Sequence, residues 1–376
     1  MKRNWTRHEA LRLGVASLLA IFGLAGCNGG NDQKTPEAGT ASQGKTADAV
    51  KPATAGKKTI RVGLVLDTGG VDDKSFNAAA KAGLDKAKAE LHLSDADARM
   101  VESRDASVYK QNLSAFASQG FDVVFAVGYK MEDAMKEVAA QFPNVKFAIV
   151  DGSAPAGAAN CSALQFREEQ GTFLAGYLAA SVSKTHTIGF VGGEKGALIG
   201  KFEAGYKAGA KMAGLNPDTQ VKVAYTGDWN DQSKGKSQAM QEFGANADII
   251  FQAAGKAGLG VIQAASEKGA GYYAIGVDQD QDDVAKGRVL TSMVKHVDTA
   301  VYDTIKRVQT GTFVPGPHVY DLKEGGIGLS EMKFTKNDVP AAVLAKLEQI
   351  KKMVAEGKIV PPTKVEDVTA FQPPKI

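Results

Sequence analysis

Short apolar runs alternate with longer amphipathic stretches from residue 59 onward, which is typical of parallel strands joined by crossover helices. Helices are predicted between the strands of the first block, beginning near Ser75, Tyr109 and Met131. The strands are predicted at five apolar runs: IRVGLVLD (60–67), ARMVES (98–103), DVVFAVG (122–128), KFAIVDG (146–152) and CSALQF (161–166). This block therefore predicts one α/β lobe.

A helical stretch, REEQGTFLAGYLAASV (167–182), leads into a second block with the same alternation. Roughly 310 residues exceed what one hydrophobic core usually serves, so the chain is predicted to form two lobes. The strands of the second block are predicted at four runs: TIGFVGG (187–193), QVKVAYTG (220–227), ADIIFQAAG (247–255) and YYAIGVD (272–278).

The remaining strands are predicted to pass between the lobes. We expect VLTSMVKH (289–296) and the helical run 298–309 to return to the first lobe, and HVYDLKEGGIGLS (318–330) to cross back. The N-terminal lobe would then comprise 59–183 plus about 290–315, and the C-terminal lobe 184–289 plus about 316–330, before a C-terminal helix and tail (331–376). The predicted fold class is α/β, with two doubly wound parallel-sheet lobes, a multi-strand hinge and a cleft at the carboxyl ends of the strands.

The first 58 residues follow a different pattern. MKRNWTRHEALR and LGVASLLAIFGLAG form the charged and apolar parts of a signal peptide (1–26), and the apolar part is too short for a permanent membrane span. Leu24-Ala25-Gly26-Cys27 resembles a lipobox, which predicts cleavage before Cys27 and its lipid modification; an ordinary secretory signal is the alternative. After Cys27, residues 28–58 lack aromatic residues and are expected to be a flexible tether. The protein is thus predicted to be anchored to a bacterial inner or outer membrane and to face the periplasm or exterior.

Charge and cysteine content narrow the function classes. The net charge is +3, from 45 basic and 42 acidic residues, and the lysines are scattered. Nucleic-acid binding would require a basic stripe, so no nucleic-acid partner is predicted. If Cys27 is acylated, Cys161 has no partner for a disulfide, and it is expected to be a small buried apolar residue.

Polar residues follow many of the predicted strands. Because ligands bind outside the carboxyl ends of strands in open parallel sheets, these residues are candidates for a ligand site. Aspartate in such a position is also common as a helix cap, so each residue alone is ambiguous. The candidates are Asp67, Gly128-Tyr129 with Asp133, Asp151, Asp228-Trp229-Asn230, Ala254-Gly255, Asp278 and Lys295.

The sequence does not match the motifs of phosphate-binding, metal-binding or catalytic sites. DTGGVDDKSFN (67–77) places acidic residues where a P-loop needs backbone amides facing an anion. The acidic run 278–283 lacks the glycine and the glutamate of a calcium loop. The histidines show no metal-ligand spacing, and no GxSxG elbow occurs. No enzyme activity, metal or cofactor is therefore predicted.

Recognition of a polar, uncharged ligand is the remaining candidate function. Carboxylates accept hydrogen bonds from sugar hydroxyls or purine N–H groups, and aromatic faces stack on rings. Phe76 and Trp229 come from different lobes, so closure of the cleft could place a planar group between them. The alternative for Phe76 is that it packs the first turn of its helix onto the sheet.

Several segments, in order, resemble the basic membrane protein family of substrate-binding lipoproteins, which includes purine nucleoside receptors of ABC transporters. The resemblance runs from about residue 59 to 330 and implies the type I periplasmic-binding fold. The segments are DTGGVDDKSFN, FAVGYKMEDA, VKFAIVDG, GTFLAGYLAA, IGFVGG, ADIIFQAAG, IGVDQDQ and LTSMVKHVD.

The resemblance also implies a ligand site. Phe76 and Trp229 would hold the base, and Asp133 would accept hydrogen bonds from it, with Asp151 as the alternative acceptor. Tyr129 stands where the family usually has phenylalanine. The remaining implied contacts are to the ribose, from Gly255, Asp278 and Lys295, and along the first-lobe wall, from Asp67 and Asn77.

The predicted function is a monomeric, lipid-anchored receptor that captures a nucleoside of the adenosine, guanosine or inosine type and passes it to an ABC permease. A surface lipoprotein that senses a nucleoside or sugar without transport is the alternative. A nucleoside hydrolase is a third and more distant reading.

Overall fold

The computed structural model describes residues 59–375. The predicted signal peptide, Cys27 and the tether lie outside the described residues. Twelve strands and nine α-helices occur within this range. The strands are β1 (Val62–Leu66), β2 (Ala98–Glu102), β3 (Val123–Val127), β4 (Lys146–Val150), β5 (Cys161–Phe166), β6 (Ile188–Gly192), β7 (Val221–Tyr225), β8 (Ile249–Ala253), β9 (Tyr273–Asp278), β10 (Val289–Lys295), β11 (Gly316–Tyr320) and β12 (Ile327–Leu329).

The helices lie between these strands, as the alternating pattern predicts. They are α1 (Phe76–Leu91), α2 (Tyr109–Ser118), α3 (Glu132–Gln141), α4 (Glu168–Val182), α5 (Ala197–Met212), α6 (Gln232–Gly244), α7 (Gly258–Lys268), α8 (Val297–Gln309) and α9 (Ala341–Ala355). Among residues 59–375, no helix has both the length and the apolar composition that a membrane span needs.

The strands form two six-stranded sheets, one in each lobe, which confirms the predicted fold class. The first sheet has the order β11-β5-β4-β3-β1-β2 and is parallel throughout. The second has the order β12-β10-β9-β8-β6-β7, and β12 alone runs antiparallel within it. β1, β3, β6 and β8 are buried along their whole length, as expected of parallel strands covered by helices on both faces.

The sheet topology corrects the predicted crossings. β10 pairs with β9 in the second sheet, so the prediction that 289–296 returns to the first lobe is wrong. α8 does pack against α1 of the first lobe. β11 pairs with β5 in the first sheet, and the chain crosses back only at β12, later than predicted. An apolar run carries no information about which sheet its backbone joins, because that choice is made by distant pairing partners.

The chain therefore crosses between the lobes three times: between β5 and α4, between β10 and α8, and between β11 and β12. Hydrogen bonds tie these crossings to one another. The Arg167 amide donates to the Tyr320 carbonyl (3.0 Å), and the His296 amide donates to the Gly326 carbonyl (3.0 Å). These three segments form the hinge.

Close packing of α4 on α5 fixes the wall of the cleft in the second lobe. A Cβ atom added at Gly176 would lie 2.0 Å from the Tyr206 carbonyl oxygen, and one added at Gly209 would lie 2.0 Å from the Phe173 carbonyl oxygen. Only glycine permits such an approach of two helix backbones. α5 is thereby held against the hinge helix α4, with its first turns directed toward the cleft.

Candidate ligand-binding cleft

A cavity lies between the two lobes, and interfaces between domains are a common location of small-molecule sites. It is lined by strand-end residues of both sheets, as the sequence predicts. Seven of the eight residues predicted to bind ligand reach it: Asp67, Phe76, Asn77, Trp229, Gly255, Asp278 and Lys295. The alternative acceptor, Asp151, also lines the cavity.

Asp133 is the exception. Its side chain is 96% exposed in the first turn of α3, and its nearest cationic group is Lys136, at 3.7 Å. The strand-end turn after β3 is a short 3-10 helix (Tyr129–Met131), which directs Tyr129 and Lys130 toward the cleft and leaves Asp133 facing solvent. The structure therefore does not bring Asp133 to the site.

The loop DTGGVDDKSFN is organised by a buried aspartate. Asp73 accepts hydrogen bonds from the backbone amides of Ser75 (2.9 Å), Asn77 (2.8 Å) and Ala78 (3.0 Å), so it satisfies the free N–H groups at the start of α1. Phe76 is thereby placed at the first position of the helix, half-buried at the edge of the cavity. By capping α1, Asp73 positions the ring that lines the cavity.

Asn77 has a single possible orientation. Its Nδ2 donates to Asp67 Oδ1 (2.7 Å) and to Asp73 Oδ2 (3.1 Å), and the reversed amide would place oxygen against both carboxylates. Asn77 Oδ1 is consequently left buried without a hydrogen-bond partner. A Cβ atom at Gly69 would lie 2.6 Å from Nδ2, so glycine is needed there to make room for this amide.

Asp67 directly follows β1 and presents a second acceptor beside Asn77. Its Oδ1 accepts from the Gly69 amide (2.9 Å) as well as from Asn77. Burial raises the pKa of Asp67, although both hydrogen bonds and the Lys130 charge act in the opposite direction. The first-lobe wall thus places the Asp67 carboxylate beside Asn77 Oδ1, a buried oxygen that lacks a donor.

A buried ammonium lies in the cleft. Lys295 is 1% exposed; its Nζ donates to Asp151 Oδ2 at 2.5 Å and lies 3.5 Å from Glu168 Oε1. Burial alone would lower the pKa of Lys295, but the carboxylates of Asp151, Glu168 and Asp278 more than offset it and raise the pKa. Lys295 is therefore charged at neutral pH.

Aromatic rings surround the same ammonium. Lys295 Nζ lies 5.1 Å from the ring centres of Phe76 and Phe166 and 5.6 Å from that of Phe202. These distances permit favourable cation–π interactions, which compensate part of the cost of burying the charge. Phe76 therefore contacts both the cavity and the charged cluster beneath it.

Asp151 and Asp278 follow β4 and end β9, one in each lobe, and both adopt a left-handed backbone conformation with φ of 64° and 63°. Such strain in non-glycine residues is concentrated at functional sites. Burial raises the pKa of each to about 6, against the effect of Lys295. Asp151 Oδ1 is buried without a partner, whereas Asp278 Oδ2 accepts a hydrogen bond from Ser75 Oγ.

The second-lobe wall is mainly apolar. Trp229 lies in the loop after β7, where the Asp228 carboxylate accepts from the Asn230 amide (2.7 Å) and so shapes the turn. A Cβ atom at Gly193 would lie 2.5 Å from the indole ring, and Gly255 also adjoins it. These two glycines make the space that Trp229 occupies beside the cavity.

Three apolar residues of α5 complete this wall, and the sequence analysis missed them: Leu198, Ile199 and Phe202. The candidates at the strand ends did not extend to the helix that follows β6. The rule that ligands bind at the carboxyl ends of strands would have found these residues had it been applied to the apolar face of the helix that follows the GG pair ending β6.

Contacts across the cleft show that the described state is closed. Ser75 of the first lobe donates to Asp278 of the second, and Gln281 Nε2 donates to the Lys74 carbonyl (2.9 Å). At another point of the cleft, Lys130 Nζ pairs with Glu194 Oε1 (2.5 Å). Ligand exchange requires these contacts to open, which the three-segment hinge permits.

The arrangement is suited to recognition of a neutral ligand. It combines unpartnered acceptors, a compensated ammonium and aromatic faces from both lobes. Within residues 59–375, no group of three or more histidine, cysteine, aspartate or glutamate side chains is arranged to hold a metal ion. Cys161 is a free, buried thiol in β5, as predicted.

Comparison with known proteins gives concordant matches. The family model described as ABC transporter substrate-binding protein PnrA-like (Bmp) matches residues 60–362. The chain is 37% identical over 324 residues to the CD4+ T-cell-stimulating antigen of Listeria innocua serovar 6a, covering 82% of this chain and 89% of that protein. It is 31% identical over 375 residues to the ABC transporter nucleoside-binding protein BmpA of Lactococcus lactis subsp. cremoris, covering 95% and 100%. A solved ABC transporter solute-binding protein from Aeropyrum pernix K1 has a TM-score of 0.73 at 25% identity, covering 83% of this chain and 98% of that one.

Proposed function

Because the chain belongs to the PnrA-like (Bmp) family of ABC transporter substrate-binding proteins, we propose that it is an extracytoplasmic receptor that captures a purine nucleoside and delivers it to an ABC permease. The family resemblance noted in the sequence is confirmed by these matches. Support for a nucleoside ligand comes from the BmpA relative, whose name describes it as nucleoside-binding.

One feature of the cleft carries the proposal: side chains whose acceptor oxygens lack partners line the same cavity as aromatic rings from both lobes. A nucleoside offers a planar base for stacking and hydroxyl and N–H donors for the acceptors. A free sugar has no planar aromatic ring to insert between Phe76 and Trp229. A charged phosphate would meet the excess of carboxylates around Lys295.

We assign the roles of the lining residues accordingly. Phe76 and Trp229 hold the base, and Asp151 takes the acceptor role first expected of Asp133. Asp67 and Asn77 form the wall that reads the edge of the base. The ribose is held by Gly255, Asp278 and Lys295.

The orientation of Asn77 also predicts an order of preference among purines. Both Asp67 and Asn77 Oδ1 are acceptors, so the wall favours an edge with adjacent donors. Guanine presents two adjacent N–H groups, hypoxanthine presents one, and adenine places a ring-nitrogen acceptor beside its amino group. Acceptor facing acceptor is unfavourable, so guanosine should bind more tightly than inosine, and inosine more tightly than adenosine.

The part of the chain before residue 59 would determine location. We propose that Cys27 is lipid-modified, that residues 28–58 tether the receptor to the membrane, and that it acts as a monomer.

Isothermal calorimetry with guanosine, inosine, adenosine and ribose tests the proposal. Tight binding of at least one purine nucleoside, without binding of ribose, is expected. Binding of ribose with failure of every nucleoside would overturn the nucleoside assignment and leave the family unaffected. If adenosine binds most tightly, the interpretation of the Asn77 wall is wrong and the receptor role stands.

Two further measurements address the hydrolase alternative and the lipid anchor. Incubation with inosine, followed by chromatography, should show no free hypoxanthine if the protein is a receptor rather than a hydrolase. Mass spectrometry of a lipid-extracted membrane fraction should find the acylated peptide that begins at Cys27. An unmodified mature N-terminus at another residue would contradict the anchor.

A further inference from the structure

We propose that Glu168, which does not line the cavity, is a positioning residue that holds the Lys295 ammonium in the cleft and sets the pH range over which ligand binds. This inference rests on the proposed function, since it assumes that Lys295 and its neighbouring carboxylates contact the ligand. It gives a role to Glu168, a buried residue that does not itself line the cavity.

Glu168 is placed at the hinge. It is the first residue of α4, directly after the chain leaves β5 of the first lobe, and it is 1% exposed. Its Oε1 lies 3.5 Å from Lys295 Nζ, and Lys295 ends β10 immediately before the second crossing. The contact therefore joins two of the three segments that connect the lobes.

The other oxygen of Glu168 faces α5. Oε2 lies 3.3 Å from Lys201 Nζ, on the helix whose neighbouring residues Leu198 and Phe202 line the cavity. Lys201 is about one-third exposed, whereas Lys295 is enclosed. Glu168 thus lies between two cations, one behind the cavity wall and one inside the cleft, and it fixes the distance between them.

Lys295 would be held less firmly without this contact. Asp151 belongs to the first lobe and moves relative to Lys295 when the cleft opens, whereas Glu168 belongs to the hinge helix, which packs on β10. A second anchor on the hinge keeps the ammonium directed at the ligand site during opening. Held in this way, Lys295 loses less side-chain freedom when ligand binds.

The charge of Glu168 also acts on the carboxylates that would accept hydrogen bonds from ligand. The groups facing Asp151 are Lys295, Glu168 and Asp278; those facing Asp278 are Lys295, Ser75, Asp73 and Glu168. Glu168 opposes ionisation of both, and after burial it is among the causes that raise the pKa of each to about 6. Because the ionised forms are the acceptors, nucleoside affinity should fall as the pH drops through about 6.

Glu168→Gln tests the two roles together. The amide keeps the shape of the side chain and removes its charge, so the pH at which affinity falls should move to a lower value by on the order of one pH unit. Affinity at pH 7.5 should fall by about fivefold because Lys295 loses one charged anchor. Calorimetric titrations with guanosine between pH 4.5 and 8 measure both effects.

Glu168→Asp separates position from charge. The shorter side chain keeps the negative charge but does not span the distance to Lys295, so affinity should fall at pH 7.5. The acid limb, meaning the pH range over which affinity falls on acidification, should stay close to that of the wild type. Glu169→Gln is the matched control, because Glu169 is also buried in the first turn of α4 and does not contact Lys295. It should leave both affinity and acid limb unchanged.

An acid limb that is unchanged in Glu168→Gln, or one that moves equally in Glu169→Gln, overturns the proposal. Carbon-13 NMR titration of the aspartate carboxyl groups in the ligand-free protein gives a readout that needs no nucleoside. Lower pKa values for Asp151 and Asp278 in Glu168→Gln than in the wild type are expected. If the wild type binds no nucleoside, the proposed function fails, and the NMR titration still decides the role of Glu168.

Discussion

The cleft and the interior of the second lobe both bury carboxyl groups, and they differ in whether a cation is present. In the cleft, Asp151, Glu168 and Asp278 surround Lys295, and the pKa of Asp151 and Asp278 is raised to about 6. In α6, Glu242 is 5% exposed, both of its oxygens lack a partner, and burial raises its pKa to about 9.

The comparison shows what the cation contributes. Burial drives a carboxyl group toward its neutral form unless a nearby charge offsets the loss of hydration. Glu242 packs against β6, where a Cβ atom at Gly189 would lie 2.1 Å from its Oε2, and it is neutral at physiological pH. Asp151 and Asp278 remain largely ionised at neutral pH, and they can therefore act as acceptors for a ligand.

Removing the cation should have the largest effect. Lys295→Met would leave buried carboxylates without compensation, which typically costs about 3–5 kcal/mol. We expect a lower free energy of unfolding by urea and loss of measurable nucleoside binding. Lys136→Met, which breaks an exposed pair with Glu132, is the control and should change stability by less than about 1 kcal/mol. If the Lys295→Met protein is as stable as the control, the buried carboxylates of the cleft do not depend on the charge of Lys295.

Glu242→Gln should stabilise the protein at alkaline pH. The folded-state pKa is raised above the unfolded value, so the contribution of Glu242 to stability is fully present below the unfolded pKa and is lost as pH rises toward about 9. Each pH unit in that window costs up to about 1.4 kcal/mol. Urea unfolding at pH 5 and pH 8 should show a gain for Glu242→Gln on the order of 3 kcal/mol at the higher pH.

The exposed Glu137→Gln provides the matched control. Its free energy of unfolding, relative to that of the wild type, should be the same at the two pH values. A wild-type protein with equal stability at pH 5 and pH 8 would show that Glu242 has a partner or a solvent path in solution.

Asp278→Ala tests whether Asp278 contacts the ligand or only contributes to the cluster of charges around Lys295. If Asp278 accepts hydrogen bonds from the ribose, its removal should weaken nucleoside binding by about 1–3 kcal/mol in calorimetry. Asp133→Ala changes a carboxylate that lies outside the cavity, and it should leave affinity unchanged. Equal effects of the two substitutions would remove Asp278 from the site.

The smallest effect is expected at Tyr206, whose hydroxyl is buried without a partner in the second lobe. Burial raises the pKa of Tyr206, and the nearby Glu242 raises it further, so the phenol is neutral. Tyr206→Phe removes an unsatisfied polar group and should stabilise the protein by up to about 1 kcal/mol. Destabilisation of that size in urea unfolding would indicate that the hydroxyl is satisfied, for example by an internal water molecule.

Most of the candidate site could be predicted because its residues are adjacent to strands in the sequence. Asp67, Asp151, Asp278 and Lys295 end or follow apolar runs, and the carboxyl ends of parallel strands meet at one edge of each sheet. Asp133 was misplaced because a short 3-10 turn separates it from β3, and sequence pattern does not fix the direction of the next helix. Glu168 gave no signal at all, since its importance depends on Lys295 and Lys201, which are distant in the chain.

The two-lobe α/β architecture, the strand-end residues and the family could be inferred from the chain alone, because hydrophobic period and local motifs are properties of neighbouring residues. Tertiary structure alone decided that β10 joins the second sheet and β11 the first, that α5 walls the cleft, and that one ammonium compensates three carboxyl groups. These features depend on backbone pairing and electrostatic contacts between residues far apart in the chain, and no short window of sequence contains both partners.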